Sequence, residues 1–144
     1  DTDEILKVIS EAFSHQFGTC ATALLLTDGD AISTHCLPGG LLDTEVSRLP
    51  SFFTVENIQG ICSGNRVCLL PELLQLPVQI PPTSVANSWA VAVPLNYARR
   101  AIGVLLFFGS ATTKTSERLI QSAAITAPAI AKALAASRQV TAHS

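Results

Sequence analysis

The chain has 144 residues, of which 48% are hydrophobic and only 14% are charged, and its formal net charge is −2. The length is typical of one domain, and scattered Lys and Arg residues without a basic patch argue against a nucleic-acid partner. No apolar run reaches the roughly 18 residues of a membrane span, and the acidic start DTDEILKV is unlike a signal peptide. The apolar excess predicts either an interior pocket or an external face that meets a partner.

The first half of the chain predicts one helix and two strands. Asp3–Phe17 has the apolar spacing of an amphipathic helix, which Gly18 is placed to end. A buried strand is expected over Cys20–Thr27, followed by the turn sequence Asp-Gly-Asp at 28–30. The chain then returns as a second strand, Ala31–Leu37, in which side chains alternate between the two faces.

Clear periodicity is lost from Leu41 to Pro82. A helix is predicted over Leu41–Leu49 and one or two more helical turns within Ser51–Ile61. A turn over Cys62–Arg66 then leads into a short edge strand, Val67–Leu70. Because a long irregular segment in a compact domain is more often functional than accidental, we expect it to form the variable wall of a pocket.

A hairpin is predicted at the centre of the sheet. Trp89–Leu95 and Ala101–Phe108 are rich in Val, Ile, Leu and aromatic residues, and a short polar link joins them. The second run is apolar on both faces, which predicts a central strand covered on both sides.

The last predicted element is a helix that begins near Thr115 or Ser116 and covers Glu117–Arg138. Its surface is rich in Ala, which permits close approach of another helix, and Pro128 inside it should kink the helix or free a carbonyl. The chain does not begin with Met and ends in this helix, so we expect it to be part of a longer protein.

Candidate chemistry is sparse. Four cysteines lie at positions 20, 36, 62 and 68, and nothing marks the chain as secreted, so free thiols in a reducing compartment are expected. Cys62 and Cys68 could form a redox disulfide or be two structural thiols. His35 could be an ordinary strand histidine, or an axial haem ligand or other ligand-contacting residue. His35 and Cys36 with Cys62 and Cys68 could supply zinc ligands, but the paired spacing of a zinc site is missing. No Ser–His–Asp arrangement, phosphate-binding Gly loop or apolar carboxylate pair is visible, so no metal or catalytic residue is predicted.

Four short motifs carry a resemblance to a known family. They are GICSGNRV at Gly60–Val67, WAVAVPL at Trp89–Leu95, AIGVL at Ala101–Leu105 and ERLI at Glu117–Ile120. Together with the order of predicted elements, they make the chain resemble a GAF domain over nearly its whole length. Residues 1–144 are therefore expected to form a single GAF-like domain. In that family Val-Pro-Leu ends one central strand and Ile-Gly-Val-Leu opens its partner.

The resemblance implies an α+β fold. Its GAF/PAS-like central antiparallel sheet would have five to six strands, with the terminal helices on one face and pocket-forming helices and loops on the other. It also implies a homodimer that pairs through Asp3–Phe17 and Glu117–Arg138. Family members bind cyclic nucleotides, bilins, haem or small metabolites, but neither the Cys-His pair of bilin-binding members nor the Asn-Lys-x-Phe-Asp-Glu signature of cyclic-nucleotide-binding members is present. The ligand or cofactor is therefore unknown.

We therefore expect a non-enzymatic, cytoplasmic sensory domain that binds a small molecule, dimerises, or does both, to control a histidine kinase or transcription regulator. The alternatives are a dimerisation spacer without ligand and a cysteine-based redox sensor. Free methionine sulfoxide reductase is an enzyme of this fold, but Gln79–Ser88 holds no cysteine where that enzyme keeps its catalytic one. Trp89 could equally be core. The candidate ligand-binding residues are His35, Phe52, Phe53, Cys62, Ser88 and Trp89.

Overall fold

A computed structural model describes residues 1–19, 21–36, 53–69, 89–109 and 117–143. Within these ranges the chain forms three helices and five strands, which confirms the α+β class. The predicted helix Leu41–Leu49 lies outside the described residues. The elements are α1 (Thr2–Phe17), β1 (Ala21–Asp28), β2 (Ala31–Cys36), α2 (Val55–Gly64), β3 (Cys68–Leu69), β4 (Trp89–Tyr97), β5 (Arg100–Gly109) and α3 (Glu117–His143).

The five strands form one antiparallel sheet in the order β2-β1-β5-β4-β3. The strand β5 lies in the middle, and residues 104–108 are each at most 1% exposed. This confirms the prediction of a central strand covered on both faces. β4 and β5 are joined by the two-residue turn Ala98-Arg99, whose φ angles of 51° and 63° are those of a hairpin turn that matches the twist of the strands.

The terminal helices lie on one face of the sheet, as predicted. The carboxylate of Asp1 accepts a hydrogen bond of 3.1 Å from the Asp3 amide at the start of α1, and Gly18 ends the helix with φ 70°. Phe13 of α1 stacks on Phe107 of β5 with ring centroids 4.4 Å apart. The α3 side chains that join this core are Leu119, Ala123, Ala127, Ile130, Ala131, Leu134 and Ala135.

The helix α3 qualifies one expectation from the sequence. Its residues Glu117–Ser137 have a mean hydropathy of 1.4 and are long and apolar enough, by length and composition alone, to cross a membrane. The absence of a continuous apolar run therefore does not exclude a span here. In the structure, one stripe of this helix packs on β4 and α1, and 28% of its most apolar stretch is buried.

The helix α2 covers the other face and corrects a prediction. Cys62 was expected in a turn, but it lies in the last turn of α2, which continues to Gly64. The side chain of Thr54 accepts from the Asn57 amide at 3.1 Å and caps the start of the helix, while Asn65 ends it with φ 50°. These two caps fix the helix ends, so the glycines between them do not act as turn residues.

Candidate functional site

The α2 face of the sheet is a packed apolar cluster in the described part of the chain. Phe53 is 4% exposed and packs with Ile58, Ile61 and Cys62 of α2. The strands contribute Ala23, Leu25, Ala90, Ala92, Val104, Leu106 and Phe108. Alternate residues of each strand reach this face, since successive side chains in a strand point to opposite sides.

The thiol of Cys62 is held inside this cluster. Its Sγ lies 3.2 Å from the carbonyl oxygen of Gly103 and 3.8 Å from that of Leu95, and it donates to them. Burial raises the pKa of the Cys62 thiol, although the two carbonyl contacts oppose part of this shift. Because the thiolate is the reactive form of cysteine, this position favours an inert structural thiol.

The six predicted site residues do not form one group. Phe53 and Cys62 lie together on the α2 face. His35 of β2 pairs with Leu24 of β1, and residues directly opposite in an antiparallel pair share a face. Leu24 belongs to the cluster under the terminal helices, so His35 lies on the face opposite to Cys62. This confirms the predicted alternation along β2, but it places His35 away from the α2 face. The Nε2 of the His35 ring lies 3.2 Å from the Ser33 hydroxyl.

The other three predicted site residues add nothing to this geometry. Trp89 is the first residue of β4, as its sequence predicts. Phe52 and Ser88 lie outside the described residues, as does the side chain of Trp89.

A second location, which the sequence did not predict as a site, is a cleft of about 380 Å³ at the edge of the sheet. Asn65, Arg66 and Val67 line it where the chain leaves α2 for β3, and Pro94 and Asn96 line it from β4. The register of β3 with β4 explains why the edge is open here. Cys68 pairs with Ala92, so extending the pairing by two residues would place Arg66 opposite Pro94, which has no N–H to donate to a ladder.

The amide of Asn96 holds the two sides of this edge together. Its Nδ2 donates to the carbonyl oxygen of Cys62 at 2.9 Å and to the Oδ1 of Asn65 at 3.1 Å. The Cys62 carbonyl at the end of α2 also accepts from the Asn65 cap amide at 3.1 Å, so Asn96 adds a second donor to it. The hairpin, the C-terminal end of α2 and the start of β3 are therefore fixed relative to one another.

The helix α3 supplies the remaining wall of the cleft through Ile120, Ala124, Ala127 and Pro128. Proline has no N–H, so the helical hydrogen bond from residue 128 to the carbonyl of Ala124 cannot form. The hydroxyl of Thr126 donates to the carbonyls of Ser122 at 2.8 Å and Ala123 at 3.3 Å in the same turn. Pro128 was noted in the sequence as a position that could free a carbonyl, and that carbonyl belongs to a residue of the cleft wall.

The described residues offer binding groups and no visible catalytic apparatus. No three His, Cys, Asp or Glu residues come together in them as a metal site would require. Cys36, Cys62 and Cys68 form no disulfide. The chemistry available at the cleft is that of one guanidinium, two side-chain amides and an apolar wall.

Comparison with solved structures identifies the fold. No protein-family model and no curated protein matches the sequence. The GAF domain of a phosphoenolpyruvate-protein phosphotransferase from Coxiella burnetii superposes with a TM-score of 0.71 at 15% identity, covering 99% of this chain and 87% of that one. A red/green cyanobacteriochrome in its red-light-absorbing state gives 0.63 at 13% identity, covering 97% of both chains.

An enzyme is also among the similar structures. Free methionine-R-sulfoxide reductase from Neisseria meningitidis, solved with its substrate, gives a TM-score of 0.59 at 18% identity, covering 97% of this chain and 83% of that one. All three likenesses lie far below 25% identity, so they establish architecture and not activity. The chain has the GAF fold.

Proposed function

We propose that this GAF-fold chain is a sensory and regulatory domain of a longer cytoplasmic signalling protein. Residues 1–144 would form its one GAF-like domain, which binds a small molecule, pairs with a second copy, or does both, to control an attached histidine kinase or transcription regulator. The observation that carries the proposal is the placement of the helices on the two faces of the sheet. The helix α2 packs on one face, and both terminal helices pack on the other.

The strand β5 provides the physical connection between the two faces. Phe107 stacks on Phe13 of α1 with centroids 4.4 Å apart, while the next residue, Phe108, packs in the cluster that contains Cys62. A ligand that repacks the α2 face therefore acts on a strand that also supports a terminal helix. The mechanism is a population shift between two packings, whose extent is set by the difference in ligand affinity for them.

The terminal helices also supply the surface for pairing. Val8 of α1 is 66% exposed and Ile125 of α3 is 78% exposed, so each terminal helix offers a large apolar side chain that a second copy could cover. The neighbouring exposed residues of α3 include Ala129, Ala133 and Ala136, which permit close helix–helix approach. These features support a homodimer through Asp3–Phe17 and Glu117–Arg138.

The environment of Cys62 supports a non-enzymatic role and weakens the redox alternative. A catalytic or redox-sensing cysteine needs an accessible thiolate, whereas the Cys62 side chain is 4% exposed and burial raises its pKa. Cys68 is partly buried, and its Sγ lies 3.2 Å from the carbonyl oxygen of Arg66. The proposal therefore assigns neither thiol a chemical step.

One observation favours a second candidate function, a GAF-fold dimerisation spacer that binds nothing. Phe53 is 4% exposed and Ile58 is fully buried, so the described part of the α2 face is already filled by the chain's own side chains. A spacer needs the terminal helices and the sheet but no pocket, and the same packing would serve it.

Hydrogen exchange separates the sensor from the spacer. The chain would be measured with and without the low-molecular-mass extract of its host cells, with the amides of β4 and β5 as the internal reference. Sensing predicts that the extract slows exchange in Leu41–Pro82 or α2 relative to that reference. The opposite result is that Leu41–Pro82 and α2 exchange as slowly as the hairpin without the extract, and that the extract slows them no further. This result supports the spacer and contradicts sensing.

A further inference from the structure

We propose that the cleft between β4, α3 and the α2–β3 connection is a binding site for a short-chain 2-hydroxy carboxylate. This site is separate from the α2 face, and the inference does not rest on sensing at that face. The cleft has a volume of about 380 Å³, near the lower end of the range for small-molecule sites, so it suits a metabolite of a few carbon atoms.

The charge of the ligand follows from Arg66. Arg66 is exposed and lines the cleft, and no ion pair holds its side chain within the described part of the chain. A guanidinium matches a carboxylate with two parallel hydrogen bonds, which neutral ligands cannot reproduce. A ligand with an added ammonium group would bring a second positive charge near Arg66, which favours a hydroxyl over an amine beside the carboxylate.

The hydroxyl group follows from the acceptors of the site. Both hydrogens of the Asn96 Nδ2 are directed to the Cys62 carbonyl and to Asn65, at 2.9 and 3.1 Å, so its Oδ1 is the atom left for a ligand. The Ala124 carbonyl has lost its helical donor at Pro128 and belongs to the opposite wall. A hydroxyl can donate to either oxygen while the neighbouring carboxylate meets Arg66.

The apolar part of the ligand follows from the remaining lining. Val67, Ile120 and Ala127 provide hydrocarbon surface, and Val67 packs against the core under the terminal helices. A short branched alkyl group placed there would be removed from water, which adds affinity that a purely polar anion would lack. A ligand bound in this way touches α3 and the end of α2 at the same time.

The test is a two-dimensional ¹⁵N NMR titration of the full 144-residue chain with 2-hydroxy-3-methylbutanoate. We expect saturable shifts of the amides of Arg66, Val67, Asn96 and Ala124, with a dissociation constant on the order of 1 mM. The uncharged amide of the same acid should bind roughly fivefold more weakly, because its single carbonyl oxygen lacks the charge and the second acceptor that a carboxylate presents to the guanidinium.

Two pairs of variants locate the site. Arg66→Ala should weaken binding roughly fivefold, whereas Arg118→Ala, at an exposed position outside the cleft, should leave it unchanged. Ala124→Leu should fill the cleft and abolish saturable shifts, whereas Ala31→Leu, at an exposed position of β2 outside the cleft, should not. These four residues are exposed, so each variant should keep the dispersed spectrum of the parent chain.

Three results would overturn the inference. The first is the absence of saturable shifts with the acid. The second is shifts confined to the α2 face around Phe53 and Ile58, which would instead support the proposed function. The third is equal affinity for the acid and its amide, which would remove the role assigned to Arg66.

Discussion

The sharpest prediction concerns Gly103, in the middle of the sheet. It pairs with Leu26 of β1 on one side and Leu95 of β4 on the other. A Cβ atom at this position would fall on the carbonyl oxygen of Leu25 and lie 3.0 Å from the Leu26 Cα. These are backbone atoms of a central strand, so they cannot rotate away as a flexible side chain would. Gly103→Ala should therefore force β1 and β5 apart.

The expected size of the effect follows from this geometry. Adding a methylene to a packed core costs about 1–3 kcal/mol, and a clash with backbone belongs at the upper end of that range. The displacement would also move the Gly103 carbonyl, which accepts from the Cys62 thiol at 3.2 Å. We expect the free energy of unfolding to fall by about 3 kcal/mol, which lowers the urea midpoint by roughly 1–3 M for a typical slope.

Gly60 supplies the matched control, because the same substitution should there have the opposite sign. It is exposed within α2, and a Cβ at this position would meet nothing within 4 Å. Gly60→Ala should raise the free energy of unfolding by about 0.5–1 kcal/mol, since alanine is the better helix former. The expected clash is contradicted if the free energy of unfolding of Gly103→Ala lies within about 0.5 kcal/mol of that of the parent chain. It is also contradicted if Gly60→Ala destabilises the chain as much as Gly103→Ala does.

Three further predictions address the two faces of the sheet. Because burial raises the pKa of the Cys62 thiol, the unfolded chain loses that proton at lower pH than the folded chain. The free energy of unfolding should then fall as pH rises above about 8.5. In urea titrations at several pH values, Cys62→Ala should reduce this pH dependence, and an unchanged pH dependence would contradict the role of Cys62. Phe13→Ala should cost about 3–5 kcal/mol, because it removes a buried side chain together with its stacked contact, whereas Gln59→Ala, at an exposed position of α2, should change stability by less than about 0.5 kcal/mol. In analytical ultracentrifugation, Ile125→Glu should shift the sedimenting species from dimer to monomer, while Arg99→Glu on the hairpin turn should not. A dimer that survives Ile125→Glu would exclude the terminal helices as the pairing surface.

The parts of the fold that depend on local sequence could be predicted. The strands β4 and β5 were expected because each is a short run of Val, Ile, Leu and aromatic residues beside a polar link. The C-terminal end of α1 was expected because Gly18 directly follows the helix that it ends. Such signals depend on a few neighbouring residues and need no knowledge of the rest of the chain.

The end of α2 was predicted wrongly because its glycines resemble turn residues. Gly60 and Gly64 both lie within the helix, which Asn65 ends in the left-handed conformation. A better signal was present in the apolar spacing of Ile58, Ile61 and Cys62, which all lie on the buried side. Packing of that side against β4 and β5 outweighs the low helix propensity of glycine.

The candidate sites depend on contacts between distant segments, and the sequence could not supply these. Alternation correctly separated His35 from Ile32, but only the packing of α2 decides which face is which. The cleft joins Arg66 and Asn96, which are 30 positions apart, to Ala124 of α3. Pro128 was its one local signal, because a proline inside a helix leaves a carbonyl without its donor.

The measurement that tests the sensory role most directly is native mass spectrometry of the chain purified from the organism that encodes it. A sensory domain should show a bound small-molecule mass that disappears under denaturing conditions, together with a dimer peak. A dimer peak with no mass beyond that of two denatured chains would contradict small-molecule sensing and favour the dimerisation spacer.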